Sequence, residues 1–192
     1  IMNQLQRYQL LENWVKNQFP TRSFLLSPAS ADASFRRYFR IEFSDKSAPK
    51  TLIVMDAPPE HEDCASFLYV ANIFSAANVH VPEILAKDLR QGFLLLSDLG
   101  STTYLESIGG SPSVAGDLYH DAIDALIRIQ SASCTGELPD YDEKLLLKEL
   151  NLFPDWYLVK HLKVALDTNQ KEELSNCFTK IINNNLAQPR VY

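Results

Sequence analysis

The sequence predicts an α+β fold in which strands and helices occupy different parts of the chain. Between residues 24 and 97, short apolar runs predict five strands, and one segment with helical spacing interrupts them. Before residue 20 and after residue 100, apolar residues recur at three- and four-residue intervals, which predicts helices. We therefore expect a five-stranded sheet with one packed helix, followed by a helical region.

The first elements follow from local patterns. Residues 4–17 predict a helix that Pro20 ends. An apolar run at residues 24–26 and alternation over residues 35–43 predict two strands of a hairpin. Between them, residues 27–34 are small and polar, and we expect a loop.

The second half of the predicted sheet surrounds a helix. Residues 51–55 predict a strand, which the following Ala-Pro-Pro ends because proline donates no hydrogen bond to a sheet. Residues 64–77 predict the packed helix, and residues 83–86 and 93–97 predict the last two strands.

The region after the sheet is expected to be helical. A flexible break is predicted at residues 109–113, and three amphipathic helices are predicted after it. Their apolar stripes contain Leu118, Ala122, Ala125, Leu126 and Ile129, then Leu146, Leu150 and Phe153, and finally Leu174, Cys177, Phe178, Ile181 and Ile182.

Composition narrows the class of protein. The chain has 192 residues, of which 46% are hydrophobic and 22% charged, and this is ordinary for a globular protein. A net charge of −6 provides no basic surface for nucleic acid. No apolar run approaches the roughly 20 residues of a membrane helix. Three widely spaced cysteines, interpreted as small buried residues, and the lack of a secretory leader predict a cytoplasmic location.

Five short segments carry a specific resemblance. They are residues 31–40 (ADASFRRYFR), 54–59 (VMDAPP), 92–100 (GFLLLSDLG), 149–157 (ELNLFPDWY) and 187–191 (AQPRV). In this order they resemble one branch of the aminoglycoside phosphotransferase and choline kinase superfamily. That branch is similar to the anomeric kinases of N-acetylmuramate and N-acetylglucosamine, which act in cell-wall recycling.

The resemblance implies a protein-kinase-like fold. Residues 1–97 would form the nucleotide-binding lobe, with an antiparallel five-stranded sheet. Residues 98–192 would form the hinge and an incomplete helical lobe. ATP with Mg²⁺ would be the phosphoryl donor, and an amino sugar would be the acceptor. No nucleic acid or membrane partner is implied.

The predicted hairpin loop is suited to phosphate. It has no glycine, but its small residues would let backbone N–H groups approach an anion. Hydroxyl and guanidinium donors would add to them. The predicted nucleotide contacts here are Ser30, Asp32, Ser34, Arg36 and Arg37. The alternative is a solvated turn with surface arginines.

The third strand departs from the kinase pattern. Kinase-like folds carry a basic residue there, paired with a glutamate of the next helix. This chain has Met55 in that stretch, interpreted as a core residue, and Phe67 near the expected glutamate position. One of the hairpin arginines or Lys50 would substitute, or Asp56 would act through a metal or water.

The hinge is expected where the last strand ends. Backbone groups that lose their sheet partners are free to pair with the edge of an adenine base. Asp98 and Leu99 are the residues predicted to supply these main-chain contacts. The alternative is an ordinary turn between a strand and a helix.

The helical region contains the predicted acceptor site. Glu149 lies on a partly apolar stripe, where a carboxylate needs a partner. It would bind either a structural arginine or a sugar hydroxyl. Asp155 and Trp156 are adjacent, and a carboxylate beside an aromatic ring is suited to a sugar. The alternative for Trp156 is a core position.

No catalytic or metal-binding residue is assigned within the chain. In the family, a segment like residues 189–192 leads into a His-x-Asp loop with a later asparagine, and these groups activate the acceptor and hold magnesium. Such residues are expected beyond Tyr192, so we expect the chain alone to be inactive. Two alternative functions stay open: a kinase of aminoglycosides, choline or another alcohol, and a non-catalytic nucleotide-binding domain.

Overall fold

A computed structural model describes residues 3–31, 34–45 and 47–189. The chain divides into two compact units, Ile1–Ile129 and Gln130–Tyr192. The elements of the first unit are α1 (Gln4–Gln18), β1 (Phe24–Ala31), β2 (Arg37–Phe43), β3 (Thr51–Asp56), α2 (Cys64–Ala76), β4 (Ile84–Asp88), β5 (Phe93–Ser97), α3 (Tyr104–Ile108) and α4 (Pro112–Ala132), the last ending just past the boundary. Those of the second are α5 (Glu143–Leu152), a π-helix (Phe153–His161) and α6 (Thr168–Leu186).

The strands form one antiparallel sheet in the order β1-β2-β3-β5-β4. The α+β prediction, with five strands and one inserted helix, is therefore confirmed. The predicted lobe boundary after residue 97 falls at the end of β5. The division into two lobes at that point stays a prediction.

Strand β1 is longer than predicted. Residues 27–31 continue the strand, so the prediction of a loop beginning at residue 27 is wrong. β1 tolerates Pro28 because it lies at the edge of the sheet and pairs with one strand only, β2. A proline has no N–H to donate, and an edge strand has no second neighbouring strand that needs this donor. A register shift between Pro28 and Ser30 absorbs the irregularity.

Helix α1 covers one face of the sheet, which we call the α1 face. The helix begins with a capping box in which Asn3 and Gln6 each accept the other's backbone N–H. Leu11 and Val15 are fully buried, and Trp14 is nearly so. They pack against alternate strand residues: Phe39, Ile41, Phe43, Leu52, Val54, Phe93 and Leu95.

Helix α2 covers the opposite face, the α2 face, because successive strand side chains point to opposite sides. Its N-cap is Asp63, whose side chain accepts the N–H of Ala65. Cys64 packs with Met55 of β3 and with buried leucines of β5. The interpretation of Met55 as a core residue is confirmed, since its side chain is fully buried.

Helix α4 completes the first unit. The flexible break predicted at residues 109–113 is shorter than expected, because Pro112 already begins the helix, where its fixed φ and missing N–H suit the first turn. At the other end, Arg128 Nη1 donates to the carbonyl of Asn78, 3.2 Å away. This bond joins α4 to the turn that follows α2.

The second unit contains a π-helix that the sequence did not predict. Pro154 lies in its first turn and has no N–H to continue the α-helical ladder of α5. The chain continues in the wider π winding as far as His161. Helix α6 then buries Phe178 and Ile182, one turn apart.

The interpretation of the cysteines is partly wrong. Cys64 is buried, but Cys134 and Cys177 are exposed. Cys177 lies beside the buried Phe178 and therefore points about 100° away around the helix axis. Within the described residues, no helix has the length and apolar character needed to cross a bilayer.

Candidate functional site

The hairpin between β1 and β2 carries the predicted phosphate contacts. Ser30 lies in β1 and is exposed. The hydroxyl of Ser34 accepts the backbone N–H of Arg36 at 3.1 Å, which shapes the start of β2. Asp32 lies outside the described residues.

Arg36 is bound to a carboxylate that precedes α2. Its Nε donates to Glu62 Oε2 at 3.0 Å, and the backbone N–H of Phe35 donates to Oε1 at 3.1 Å. The Phe35 ring also stacks on His61, with centroids 4.4 Å apart. Burial acts to lower the pKa of Arg36, but the hydrogen bond and charge of Glu62 outweigh it, and the net shift is upward. The pair fixes the hairpin to the approach of α2.

Arg37 has a different partner, on the other face of the sheet. Its Nε donates to Asp56 Oδ2 at 3.1 Å, and Arg7 Nε donates to Oδ1 at 2.8 Å. Arg7 also donates to the carbonyl of Gln91. Asp56 is fully buried. Asp56 therefore has a structural role as the partner of two arginines, in place of the expected role through a metal or water. A phosphate contact by Arg37 stays a prediction.

The hinge residues follow β5 directly. The Asp98 carboxylate accepts Arg40 Nε at 2.7 Å and Nη2 at 3.1 Å, and Oδ1 also accepts the N–H of Gly100 at 2.9 Å. The bond from Arg40 is the main cause that lowers the pKa of Asp98 to about 2. The segment after β5 is thereby attached to β2.

The main chain of the predicted hinge continues directly from the last strand. Among the described residues, no backbone hydrogen bond of Leu99 is found outside the helices and strands. Asp98 and Leu99 border an open cavity of about 870 Å³ between α2, β4 and the hinge. A cavity of this size is within the range of small-molecule sites.

A family match covers most of this chain, including the hinge and most of the hairpin. Residues 26–192 match the phosphotransferase enzyme family. The chain belongs to that family.

Curated relatives agree with the match. The N-acetylmuramate/N-acetylglucosamine kinase of Pseudomonas aeruginosa is 50% identical over 87% of this chain and 48% of the relative. Proteins of the same name from Pseudomonas putida and Neisseria meningitidis are 43% and 39% identical, over 86% and 98% of this chain and 47% and 55% of their own lengths. The chain spans about half the length of these relatives. The predicted resemblance is confirmed.

The second unit of this phosphotransferase-family chain contains the predicted acceptor residues. Glu149 is exposed, and no ion pair of it is found within the described residues. Trp156 is 58% exposed, so the alternative of a core position is wrong, and Lys160 Nζ lies 3.4 Å from its ring centroid. Asp155 borders a cavity of about 470 Å³, to which Glu149 and Trp156 do not contribute.

Sequence reasoning missed three residues of the sheet unit. Arg7 shares a stripe of α1 with Leu11 and Trp14, and an arginine on an apolar stripe signals a buried partner. Arg40 lies within the quoted segment of residues 31–40. No sequence pattern identifies Glu62 as the partner of Arg36, because the two residues are 26 positions apart in the chain.

A metal site is not formed by the described residues alone. Among them, no group of three or more histidine, cysteine, aspartate or glutamate side chains is placed to hold an ion. These residues do not fit Mg²⁺ without further ligands.

Proposed function

We propose that the chain is the nucleotide-binding part of a cytoplasmic, ATP-dependent kinase that phosphorylates N-acetylmuramate and N-acetylglucosamine at the anomeric hydroxyl. The observation that carries this proposal is the 50% identity to a kinase named for these two sugars. The family match extends over the hinge, the helices of the second unit and most of the hairpin, from residue 26 onwards.

The hinge supports the binding of adenine. Main-chain groups of Asp98 and Leu99, which follow the last strand, would pair with the edge of the base. On the α2 face, Ile53 is opposite Arg40 and Leu96 in the sheet register and offers an apolar surface next to the hinge. The bond between Arg40 and Asp98 would keep this segment in one position while the nucleotide binds.

The hairpin supports the binding of the triphosphate. Ser30, Ser34 and Arg36 are polar residues at its end. Asp32 is proposed as a further contact. Phosphoryl transfer depends on positioning and on donors aimed at the phosphate oxygens. Mg²⁺ would be bound, and the sugar hydroxyl activated, by residues in the part of the relatives' length that this chain does not span.

The cavity at Asp155 supports an acceptor site. Its lining includes the polar residues Asn151, Lys171 and Ser175 together with apolar residues such as Phe178. Such a mixture of donors, acceptors and apolar surface suits a sugar with an N-acetyl group. Glu149 and Trp156 are proposed as further contacts of the acceptor.

The test is an acceptor panel with the full-length protein. ADP release is measured with ATP, Mg²⁺ and N-acetylmuramate, N-acetylglucosamine, choline or an aminoglycoside. Release that depends on the two amino sugars supports the proposal. Release only with choline or an aminoglycoside supports a different acceptor, and ATP binding without release for any acceptor supports a non-catalytic domain.

A further inference from the structure

The third strand has no basic residue for the phosphates, so another cation must take that role if the proposed function holds. Several arginines of the sheet unit are already held by carboxylates. These pairs are Arg7 and Arg37 with Asp56, Arg40 with Asp98, and Arg22 with Asp45.

The positions of these pairs decide whether their arginines could reach the nucleotide phosphates. Asp56 binds its two arginines on the α1 face, which is opposite the face that α2 covers. Arg40 is used at the hinge. Arg22 and Lys50 lie at the far end of β2, which is about 20 Å from its start. None of these cations is placed at the end of the hairpin on the α2 face.

Arg36 differs in place and in surroundings. It borders a groove of about 340 Å³ along α2 together with Phe67 and Val70. Phe67 packs against the cluster that contains Met55. Arg36 therefore shares a groove with Phe67, one of the two positions where the kinase ion pair is missing, and Phe67 packs against the cluster that contains the other.

The bond to Glu62 uses only some of the N–H donors of Arg36. A guanidinium has five N–H groups, and Glu62 accepts the one on Nε, while Tyr38 is a further partner. The second carboxylate oxygen accepts the N–H of Phe35 and so fixes the hairpin to the same anchor. The side chain of Arg36 remains partly exposed, at 27%. Donors of the guanidinium are left for an anion that enters the groove.

We propose that Arg36 is the cation that contacts the nucleotide phosphates and that Glu62 is its positioning residue. This inference rests on the proposed function. The pair takes the place of the strand lysine and helix glutamate, with the cation supplied by the residue before β2 and the carboxylate by a residue shortly before α2. In this proposal the ion pair has the same role as in other kinase-like folds, but its two residues come from different positions of the chain.

The experiment compares ATP with adenosine as ligands of the full-length protein, by calorimetric titration. Arg36→Met should weaken ATP binding by about tenfold or more, since a charge-assisted hydrogen bond is lost, and should change adenosine binding by less than about twofold. Glu62→Gln should weaken ATP binding less and leave adenosine binding unchanged. Arg36→Lys should restore part of the loss. Arg22→Met removes the same charge at the far end of β2 and should change neither affinity.

The outcomes separate this inference from the proposed function. If the unmodified protein binds ATP and Arg36→Met changes its affinity by less than about twofold, the inference is overturned and the kinase proposal stands. If Arg36→Met and Arg36→Lys each weaken the binding of ATP and of adenosine equally, Arg36 only holds the hairpin in place. That result also overturns the inference. If the unmodified protein binds neither ligand, both proposals fail.

Discussion

The carboxylate of Asp98 accepts two hydrogen bonds from the guanidinium of Arg40, 58 residues earlier in the chain. Arg40 also donates to the carbonyl of Gly100 at 3.1 Å. These bonds connect the middle of β2 to the segment that leaves the sheet. The proposed adenine site therefore has a fixed position relative to the proposed phosphate site.

The Asp98 pair should make stability depend on pH. The folded pKa of Asp98, about 2, is below the usual value near 4, so the stabilisation is complete above about pH 4 and is lost as the pH falls towards 2. The shift corresponds to about 2 kcal/mol. We expect Asp98→Asn to flatten the fall in unfolding free energy over this range, measured by urea titration.

The matched control for that experiment is Asp121→Asn, which removes one carboxylate from an exposed position of α4. Its pH profile should follow that of the unmodified chain. An unchanged profile for Asp98→Asn would contradict the assignment of the pair.

The buried carboxylate Asp56 should be a major source of stability. Asp56→Asn leaves Arg7 and Arg37 without their anion, and breaking a buried ion pair in this way costs about 3–5 kcal/mol. Asp45→Asn, which breaks the more exposed pair with Arg22, should cost much less. Thermal unfolding followed by circular dichroism measures both, and equal losses would refute the structural role of Asp56.

The turn before β5 should not tolerate a side chain. Gly92 has φ +69°, and a Cβ atom there would lie 1.8 Å from the carbonyl oxygen of Ala57. Gly110 has φ +85° with no atom within 4 Å of its Cβ position. Gly110→Ala should therefore cost about 1 kcal/mol from the backbone conformation alone, and Gly92→Ala at least twice as much. Similar costs in denaturant titrations would argue against the close contact.

The cysteines should react at different rates. Burial raises the pKa of the Cys64 thiol and shields it, whereas Cys134 and Cys177 are exposed. With a thiol reagent at about pH 8, two cysteines should react quickly and the third only when the chain unfolds. Rapid reaction of all three in the folded chain would contradict the packing of α2 on the sheet.

Much of the fold is predictable from the sequence because it follows from local periodicity. The alternation of Phe39, Ile41 and Phe43 identifies the α1 face, and the helical spacing after residue 64 identifies α2. The extension of β1 through Pro28 was missed, because an edge strand tolerates a proline that a central strand would exclude.

The candidate site is less predictable, because its ion pairs join distant parts of the chain. The hairpin arginines look equivalent in the sequence, yet Arg36 pairs with Glu62 and Arg37 with Asp56 on opposite faces of the sheet. Alternation along β2 separates their directions, but it does not identify their partners. Those partners depend on the register of β2 with β3 and on the approach to α2.

The sheet unit is proposed to hold a nucleotide between the hinge and the hairpin. A crystal structure of the full-length protein with a non-hydrolysable ATP analogue would show where the nucleotide binds. We expect the adenine edge on the main chain of Asp98 and Leu99 and the phosphates within hydrogen-bonding distance of Arg36. Adenine bound away from the hinge, or phosphates bound away from the hairpin, would contradict this placement of the nucleotide.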